Sequence, residues 1–163
     1  INGLHVSYCF KLMRDDEIIG AMIYGTLAMA NVWKKYVDNH EELIELRRLC
    51  CIDDTPKNTE SYFIGATLRF LKKNSNIKKV ISYADYTYNH TGIIYQATNF
   101  KLMGETKPLK AIQWGDKLYH EKTIRNKYKG QLKPFAIKLR EALENGEAEY
   151  VKTKQKYIYI YEL

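Results

Sequence analysis

One stretch of the chain, residues 79–104, constrains its possible folds more than any other. It opens with VISYA at residues 80–84, a short run of β-branched, apolar and aromatic residues that predicts a buried strand. Residues 85–90 are polar and aromatic, and a segment of this kind must lie where water or a ligand can satisfy it. Helical spacing of the apolar residues within 93–97 then predicts a helix, and Phe100 opens another strand. The stretch therefore predicts a strand, a polar elbow, a helix and a strand in succession.

The polar elbow is the first candidate for a functional site. In open α/β sheets, ligands bind at the carboxyl ends of strands. We therefore expect Ser82, Asp85, His90 and Tyr95 to converge on a pocket. A capping or core hydrogen bond is the simpler structural alternative for Ser82, Asp85 and His90.

A length of 163 residues with 45% hydrophobic and 28% charged side chains predicts one globular domain over residues 1–163. No apolar run approaches the ~20 residues of a membrane helix, and no signal peptide is recognisable, so we expect a soluble cytoplasmic protein. The three cysteines form neither a disulfide framework nor a CxxC pattern, which favours reduced thiols. No HxH or HExxH spacing is present, so no residue is assigned to a metal site.

Positive charge is concentrated in the last third of the chain. Residues 1–100 carry a net +1, whereas residues 101–163 carry +6 of the total +7. Lys and Arg attract polyanions, and the fourteen tyrosines add surfaces on which bases can stack. A solvated surface that binds no partner would carry the same charge. Charge alone therefore leaves two interpretations, a surface that binds double-stranded DNA and a surface that is only solvated.

A polar loop, DDTPKNTES at residues 53–61, precedes the strongest helical pattern in the chain. One face of the helix predicted over about 61–73 carries apolar residues and one threonine: Phe63, Ile64, Thr67, Leu68 and Leu71. The free N–H groups at a helix amino terminus attract anions, and Lys57, Asn58 and Ser61 add side-chain donors. Ordinary capping by Asn58 or Ser61 explains the same residues, because no glycine-rich phosphate loop is present.

The basic carboxyl-terminal part predicts a hairpin about Gly115 and Asp116, and then a short basic helix over 124–129 that Gly130 ends. Pro134 starts a further helix with Phe135 among its inward residues. We expect these elements to form an insertion at about 109–150 before the last strand, KYIYIYEL.

This order of elements resembles the GNAT acyltransferase fold. The resemblance implies an α/β fold of the α+β type, with a mixed, mostly antiparallel sheet that splays between strands 4 and 5 and is flanked by helices. Residues 94–100, IYQATNF, are similar to the family pattern L-Y-x-x-x-G-F, with Asn99 where Gly is usual. The resemblance implies that acetyl-CoA is the cofactor and that Tyr95 protonates the leaving thiolate.

The chain more closely resembles the phage Mom-like DNA-modification proteins. The similar segments are ELRRLCCIDDTPKNTESYFIG, ISYAD, HTGIIYQATNF, HEKTIRNKY and KYIYIYEL. This resemblance implies a phage-encoded enzyme, active in the cytoplasm of the bacterial host, that transfers a small acyl-derived group to N6 of adenine in DNA. Such a modification makes the DNA refractory to host restriction.

Roles for particular residues follow from the two resemblances. Asp85 is expected to act as base or orienting group beside Ser82 and His90, with Tyr95 as the acid. Acetyl-CoA is expected to contact Pro56, Lys57, Asn58, Ser61 and Asn99. DNA is expected to contact Lys122, Arg125, Lys127 and Lys129 through its backbone and Tyr86 and Tyr88 through a flipped base.

Two other functions fit the same sequence. A GNAT enzyme that acetylates a small amine or a protein needs no DNA. A non-catalytic DNA-binding or antirestriction module on the same fold needs no acyl-CoA. A metal-dependent variant also stays open, because His, Asp and Tyr are possible ligands.

Overall fold

The computed structural model describes residues 6–85 and 91–163. Its strands are β1 (Val6–Arg14), β2 (Glu17–Gly25), β3 (Leu43–Cys51), β4 (Lys79–Asp85), β5 (Lys101–Glu105), β6 (Lys110–Trp114), β7 (Lys117–His120), β8 (Lys127–Tyr128), β9 (Gln131–Leu132), β10 (Ala148–Lys152) and β11 (Lys156–Glu162). Its α-helices are α1 (Thr59–Asn74), α2 (Ile93–Ala97) and α3 (Pro134–Glu144), and its 3-10 helices are Val32–Lys35, His40–Glu42 and Glu121–Arg125.

Six strands form the main sheet, in the order β1-β2-β3-β4-β11-β5. Every neighbouring pair is antiparallel except β3 and β4, which run parallel. The predicted mixed, mostly antiparallel sheet is therefore confirmed. Parallel neighbours need a long crossover connection, and α1 supplies it between β3 and β4.

The parallel pair separates part-way along its length. Residues pair at only three positions, from Leu43 opposite Lys79 to Glu45 opposite Ile81. Beyond that point β3 pairs only with β2, and β4 only with β11, within the described part of the chain. We call the space between the diverging strands the gap. It is the predicted splay, and it lies between the third and fourth described strands, which correspond to strands 4 and 5 of the predicted fold.

Helix α1 covers one face of the sheet. The five residues predicted to face inward are all buried, as the periodicity required: Phe63, Ile64, Thr67, Leu68 and Leu71. They pack with strand residues such as Met22, Ile44 and Val80 in the largest core cluster. Burial of each large apolar side chain contributes roughly 1.5–3 kcal/mol, so this interface supplies much of the stability of the sheet.

The opposite face of the sheet is covered by less regular chain. The first 3-10 helix after β2, Val32–Lys35, and the residue that follows it bring Val32, Trp33 and Tyr36 against Ile81 and Ile160. We call this group the second cluster. Because strand residues alternate between faces, Ser82 and Ala84 face α1, whereas Tyr83 and Asp85 face the side of the second cluster.

Helix α2 is held against the sheet by Tyr159 of β11. The Tyr159 hydroxyl donates to the carbonyl of Thr91 at 2.8 Å and accepts from the side-chain amide of Gln96 at 3.1 Å. Gly92 precedes the helix with φ of +77°, and a Cβ atom there would overlap the Tyr159 ring. A glycine is therefore required at this position for conformation and for space.

Residues 106–155 form a second, smaller sheet in the order β10-β6-β7, with α3 packed on it. The hairpin predicted about Gly115 is confirmed. The helix predicted over 124–129 is wrong: Lys127–Tyr128 pairs with Gln131–Leu132, and Lys129 and Gly130, both at positive φ, make the turn between them. A two-residue turn of this kind competes with a helix end for the same glycine signal.

We call residues 106–155 the smaller module. Two further details of this module differ from the predictions. Phe135 is 40% exposed and lies beside Trp114 and Tyr119, so it is not an inward residue of α3. Strand β10, which pairs with β6, was not predicted at all. Among the described residues, no helix has the length and apolar character needed to cross a membrane.

We expect Gly92→Ala to destabilise the protein more than Gly146→Ala. Both glycines have similar positive φ, but only Gly92 has Tyr159 in the space a methyl group would take. Gly146→Ala should cost about 1 kcal/mol from backbone strain, and Gly92→Ala about 2 kcal/mol more from overpacking. Urea unfolding of the two variants measures the difference, and equal losses would contradict the close contact.

Candidate active site

The gap opens into a cavity of about 430 Å³. Residues 46–49 of β3 line one side, and residues 83–85 of β4 line the other. Residues 91–95, which lead into and begin α2, complete the wall. The cavity is therefore built by three elements whose positions depend on the main sheet.

A second cavity, of about 360 Å³, lies at the amino terminus of α1. It is lined by the loop after β3 and by the first turn of α1, and Glu60, Ile93 and Ile94 line both cavities. The two spaces therefore adjoin along α2. Four of the residues predicted to contact acetyl-CoA line this second cavity: Pro56, Lys57, Asn58 and Ser61.

The amino terminus of α1 is not capped by the side chain of Asn58. This residue has φ of +71°, and its side chain makes no capping hydrogen bond. The hydroxyl groups of Thr59 and Ser61 donate instead to the carbonyl groups of Pro56 and Asn58, at 2.6 and 3.3 Å. Because the Asn58 side chain accepts no hydrogen bond from the first turn, backbone N–H groups there can bind an anion. Glu60 is the one acidic residue in that turn, and it opposes an anion.

Tyr95 lies between the gap and the core. Its ring is 5.2 Å from the Tyr159 ring and 5.5 Å from the Phe100 ring, between centroids. Burial raises the pKa of the Tyr95 phenol above its ordinary value, and a hydrogen bond with Ser82 opposes that rise. The phenol is therefore protonated at neutral pH.

Ser82 connects Tyr95 to β3. The Ser82 side chain is buried, and its hydroxyl donates to the Leu46 carbonyl at 3.3 Å across the beginning of the gap. A hydroxyl has one proton, so with that proton on Leu46 the Ser82 oxygen is left to accept from the Tyr95 phenol. The structure therefore brings together two of the predicted catalytic residues, Ser82 and Tyr95.

Asp85 approaches the gap cavity from the other face of the sheet. It lines the cavity together with Tyr95, and its carboxylate forms an ion pair with Lys156 of β11 at 2.8 Å. The sheet alternation places Asp85 on the opposite face from Ser82. A molecule threaded through the gap would thus meet Tyr95 on one side of the sheet and Asp85 on the other.

Asn99 has a structural role in this arrangement. Asn99 follows α2 and has a φ of +64°, which turns the chain away from the helix direction. The next residue, Phe100, donates its N–H to the Tyr95 carbonyl at 2.9 Å. Asn99 lines neither of the two cavities, in contrast to its predicted contact with acetyl-CoA. Asn tolerates the left-handed conformation that Gly usually supplies at such a position.

The residues predicted to contact DNA lie away from the gap or outside the described residues. Lys122, Arg125, Lys127 and Lys129 are exposed on the smaller module, where Arg125 pairs with Glu121 at 3.2 Å. His90, Tyr86 and Tyr88 fall in residues 86–90, outside the part of the chain that the structure describes.

Sequence reasoning missed several polar residues at the gap. Arg47 and Arg48 line the cavity from β3, and Tyr83 lines it from β4. Glu45 is only 7% exposed and is the last β3 residue that pairs with β4. The available signal was a glutamate between the apolar residues Ile44 and Leu46. Across residues 6–85 and 91–163, no group of three or more His, Cys, Asp or Glu side chains is placed to hold a metal ion.

Comparison with known proteins assigns the family. The model of the Mom protein family matches residues 2–163. The chain belongs to the Mom family. A Mom relative from Escherichia phage Mu, named as a methylcarbamoylase, is 27% identical over 111 residues. That match covers 66% of this chain and 46% of the relative, so the Mom chain described here spans less than half of the length of the phage Mu protein.

Solved structures show that this Mom chain has the GNAT fold. A Bacillus subtilis acetyltransferase in complex with CoA superposes with a TM-score of 0.52 at 10% identity, over 95% of this chain and 76% of its own. A GNAT acetyltransferase from Elizabethkingia anophelis with acetyl-CoA bound gives 0.50 at 12% identity, over 95% and 75%. At such identities the similarity establishes the fold alone.

We expect Ser82→Ala to raise the pKa of Tyr95 further, because Ser82 provides the hydrogen bond that opposes the effect of burial. The titration of tyrosine labelled with ¹³C at Cζ follows this pKa directly by NMR. Ser61→Ala is the control, since the Ser61 hydroxyl bonds to Asn58 and leaves Tyr95 untouched. An unchanged or lowered Tyr95 pKa in Ser82→Ala would exclude the coupling.

Proposed function

We propose that this Mom-family chain transfers a small acyl-derived group from an acyl-CoA, with acetyl-CoA as the first candidate, to N6 of adenine in double-stranded DNA. The modification would protect phage DNA from host restriction. The observation that carries the proposal is the gap between β3 and β4, with Tyr95 on one side and an open cavity through the sheet.

The residues around α1 fit an acyl-CoA donor. The first-turn N–H groups of the helix and the exposed Lys57 favour a pyrophosphate, and the adjoining cavities provide a path to the gap. When bound, the donor would supply a group activated as a thioester. Asn58, at positive φ, takes the conformation that a glycine would provide in a phosphate-binding loop.

Tyr95 is the proton source in this proposal. Its phenol stays protonated at neutral pH because burial disfavours the phenolate. As the bond from N6 to the acyl carbon forms and the carbon–sulfur bond breaks, the leaving thiolate would take the phenol proton, and Asp85, the predicted base, would take the proton that N6 loses. Adenine N6 is a weak nucleophile, because its lone pair is delocalised into the ring, so the positioning of both reactants must supply much of the rate.

The distribution of charge supports a DNA acceptor. Residues 106–155 contain twelve Lys and Arg against six Asp and Glu, a net +6 of the total +7. Exposed aromatic rings accompany these charges: Lys129 lies 5.6 Å from the centroid of Tyr128, and Lys110 lies 3.6 Å from that of Tyr150. A basic surface of this kind binds the phosphate backbone and positions the duplex. Because N6 is paired within a duplex, the adenine would have to be flipped out.

Mass spectrometry of nucleosides tests the reaction. DNA from cells that express the protein should contain an adenine nucleoside of increased mass, and Tyr95→Phe should reduce its amount at least about tenfold. The Tyr95→Phe variant should retain its thermal shift with acetyl-CoA, since the ring is kept. Tyr161→Phe is the matched control, as Tyr161 packs on Phe100 away from the gap cavity. Unmodified DNA from the wild type would reject the proposed function.

Charge reversal tests the DNA surface. Arg125→Glu combined with Lys127→Glu should weaken binding to duplex DNA and reduce the slope of log K against log salt by about 2, since each phosphate contact contributes about 0.9. Fluorescence anisotropy across a salt series measures both quantities. The same charge reversal at Lys34 and Lys35, which are exposed on the 3-10 helix after β2, should change the slope less. Equal effects at the two places would contradict a specific basic surface.

A further inference from the structure

Glu45 is a charged residue in an apolar setting. Its neighbour on the same face of β3 is Leu43, a member of the second cluster, and its side chain is 7% exposed. One carboxylate oxygen accepts the N–H of Ala28 at 2.7 Å, and among the described residues no side chain forms an ion pair with it. Burial raises the pKa of Glu45, and the hydrogen bond from Ala28 and the charges of Arg47, Lys156 and Arg48 oppose that rise only in part.

Tyr83 presents a second polar group on the same face. Its ring lines the gap cavity and packs on the second cluster, and its hydroxyl oxygen is buried without a hydrogen-bond partner among the described residues. Glu45 lies opposite Ile81, and Tyr83 is the next residue of β4 on the same face, so the two side chains lie near each other where the strands separate. Burial raises the pKa of Tyr83, and the charge of Glu45 raises it further.

Burial of the Glu45 carboxylate and the Tyr83 hydroxyl lowers the stability of the folded protein. A buried hydroxyl without a partner costs about 1–3 kcal/mol, and a buried carboxylate with one neutral donor costs more. Both lie on the face of the second cluster where β3 and β4 separate: Glu45 is the last β3 residue that pairs with β4, and Tyr83 lines the cavity that the proposed reaction uses. Polar groups that a fold keeps at such a cost are expected at a binding site.

We propose that Glu45 and Tyr83 recognise the amino-bearing edge of the acceptor base on the side of the gap opposite Tyr95. A carboxylate only accepts hydrogen bonds, whereas a phenol can donate one. Together they complement an exocyclic amino group next to a ring nitrogen, which is the edge that adenine presents. This assignment rests on the proposed function, and it adds to that function the residues that select the base.

Replacement of tyrosine by phenylalanine should affect the unfolding midpoint differently at Tyr83 and at Tyr24, and this comparison tests the assignment. Tyr83→Phe removes a hydroxyl without a partner and should leave the unfolding midpoint unchanged or raise it. Tyr24→Phe, the matched control, breaks a 2.7 Å hydrogen bond with Thr67 on the other face of the sheet and should lower the midpoint. Glu45→Gln keeps an oxygen for Ala28 and should not lower it.

The amount of modified adenine in cells should depend on the variants in the opposite way to the unfolding midpoint. At equal levels of folded protein, Tyr83→Phe and Glu45→Gln should each reduce modified adenine at least about tenfold, whereas Tyr24→Phe should not. Both acceptor-side variants should retain the thermal shift with acetyl-CoA and the salt dependence of DNA binding.

Competition between an adenine homopolymer and the matching 2-aminopurine homopolymer tests recognition of the edge itself. Moving the amino group from C6 to C2 removes the proposed donor, so the wild type should prefer adenine and both variants should lose that preference. If the wild type modifies adenine and the variants do so equally well, the assignment fails and the proposed function stands. If the wild type modifies no adenine, both fail.

Discussion

The pairing of β3 with β4 over only three residues is the constraint on which the site depends. Parallel strands that continued to pair would close the sheet and leave no passage between its faces. Beyond Glu45 and Ile81 each strand keeps its neighbour on the other edge, whereas the backbone groups on the edges that face the gap have no ladder partner among the described residues. One of these groups, the Leu46 carbonyl, accepts instead from the Ser82 hydroxyl at 3.3 Å where the opening begins.

The aromatic residues of β11 hold the second wall of the opening. Tyr159 is almost fully buried, and its hydroxyl binds the chain just before α2, where only glycine fits beside the ring. Tyr95 is consequently placed by packing on the sheet, although its helix has only five residues. A short helix has little stability of its own, so tertiary contacts must position it.

The two faces of the sheet have different chemistry. The α1 face carries a large apolar core, the amino terminus of a helix and the phenol of Tyr95. The other face carries Glu45, Tyr83 and the Asp85 pair with Lys156 beneath less regular chain. This asymmetry matches the two partners of the proposed reaction, an anionic donor on one side and a base with hydrogen-bonding edges on the other.

The sequence alone determined the elements whose signal is local. The period of apolar residues specified the buried face of α1, and the apolar run in VISYA and the alternation in KYIYIYEL specified two central strands. The splay of the sheet was predicted through the family resemblance, but tertiary structure alone placed Glu45 and Tyr83, 38 residues apart, on one face where β3 and β4 separate. It also determined that residues 127–132 form a hairpin and that β10 pairs with β6. These features depend on pairing between distant segments, and a local pattern of side chains carries no information about the partner.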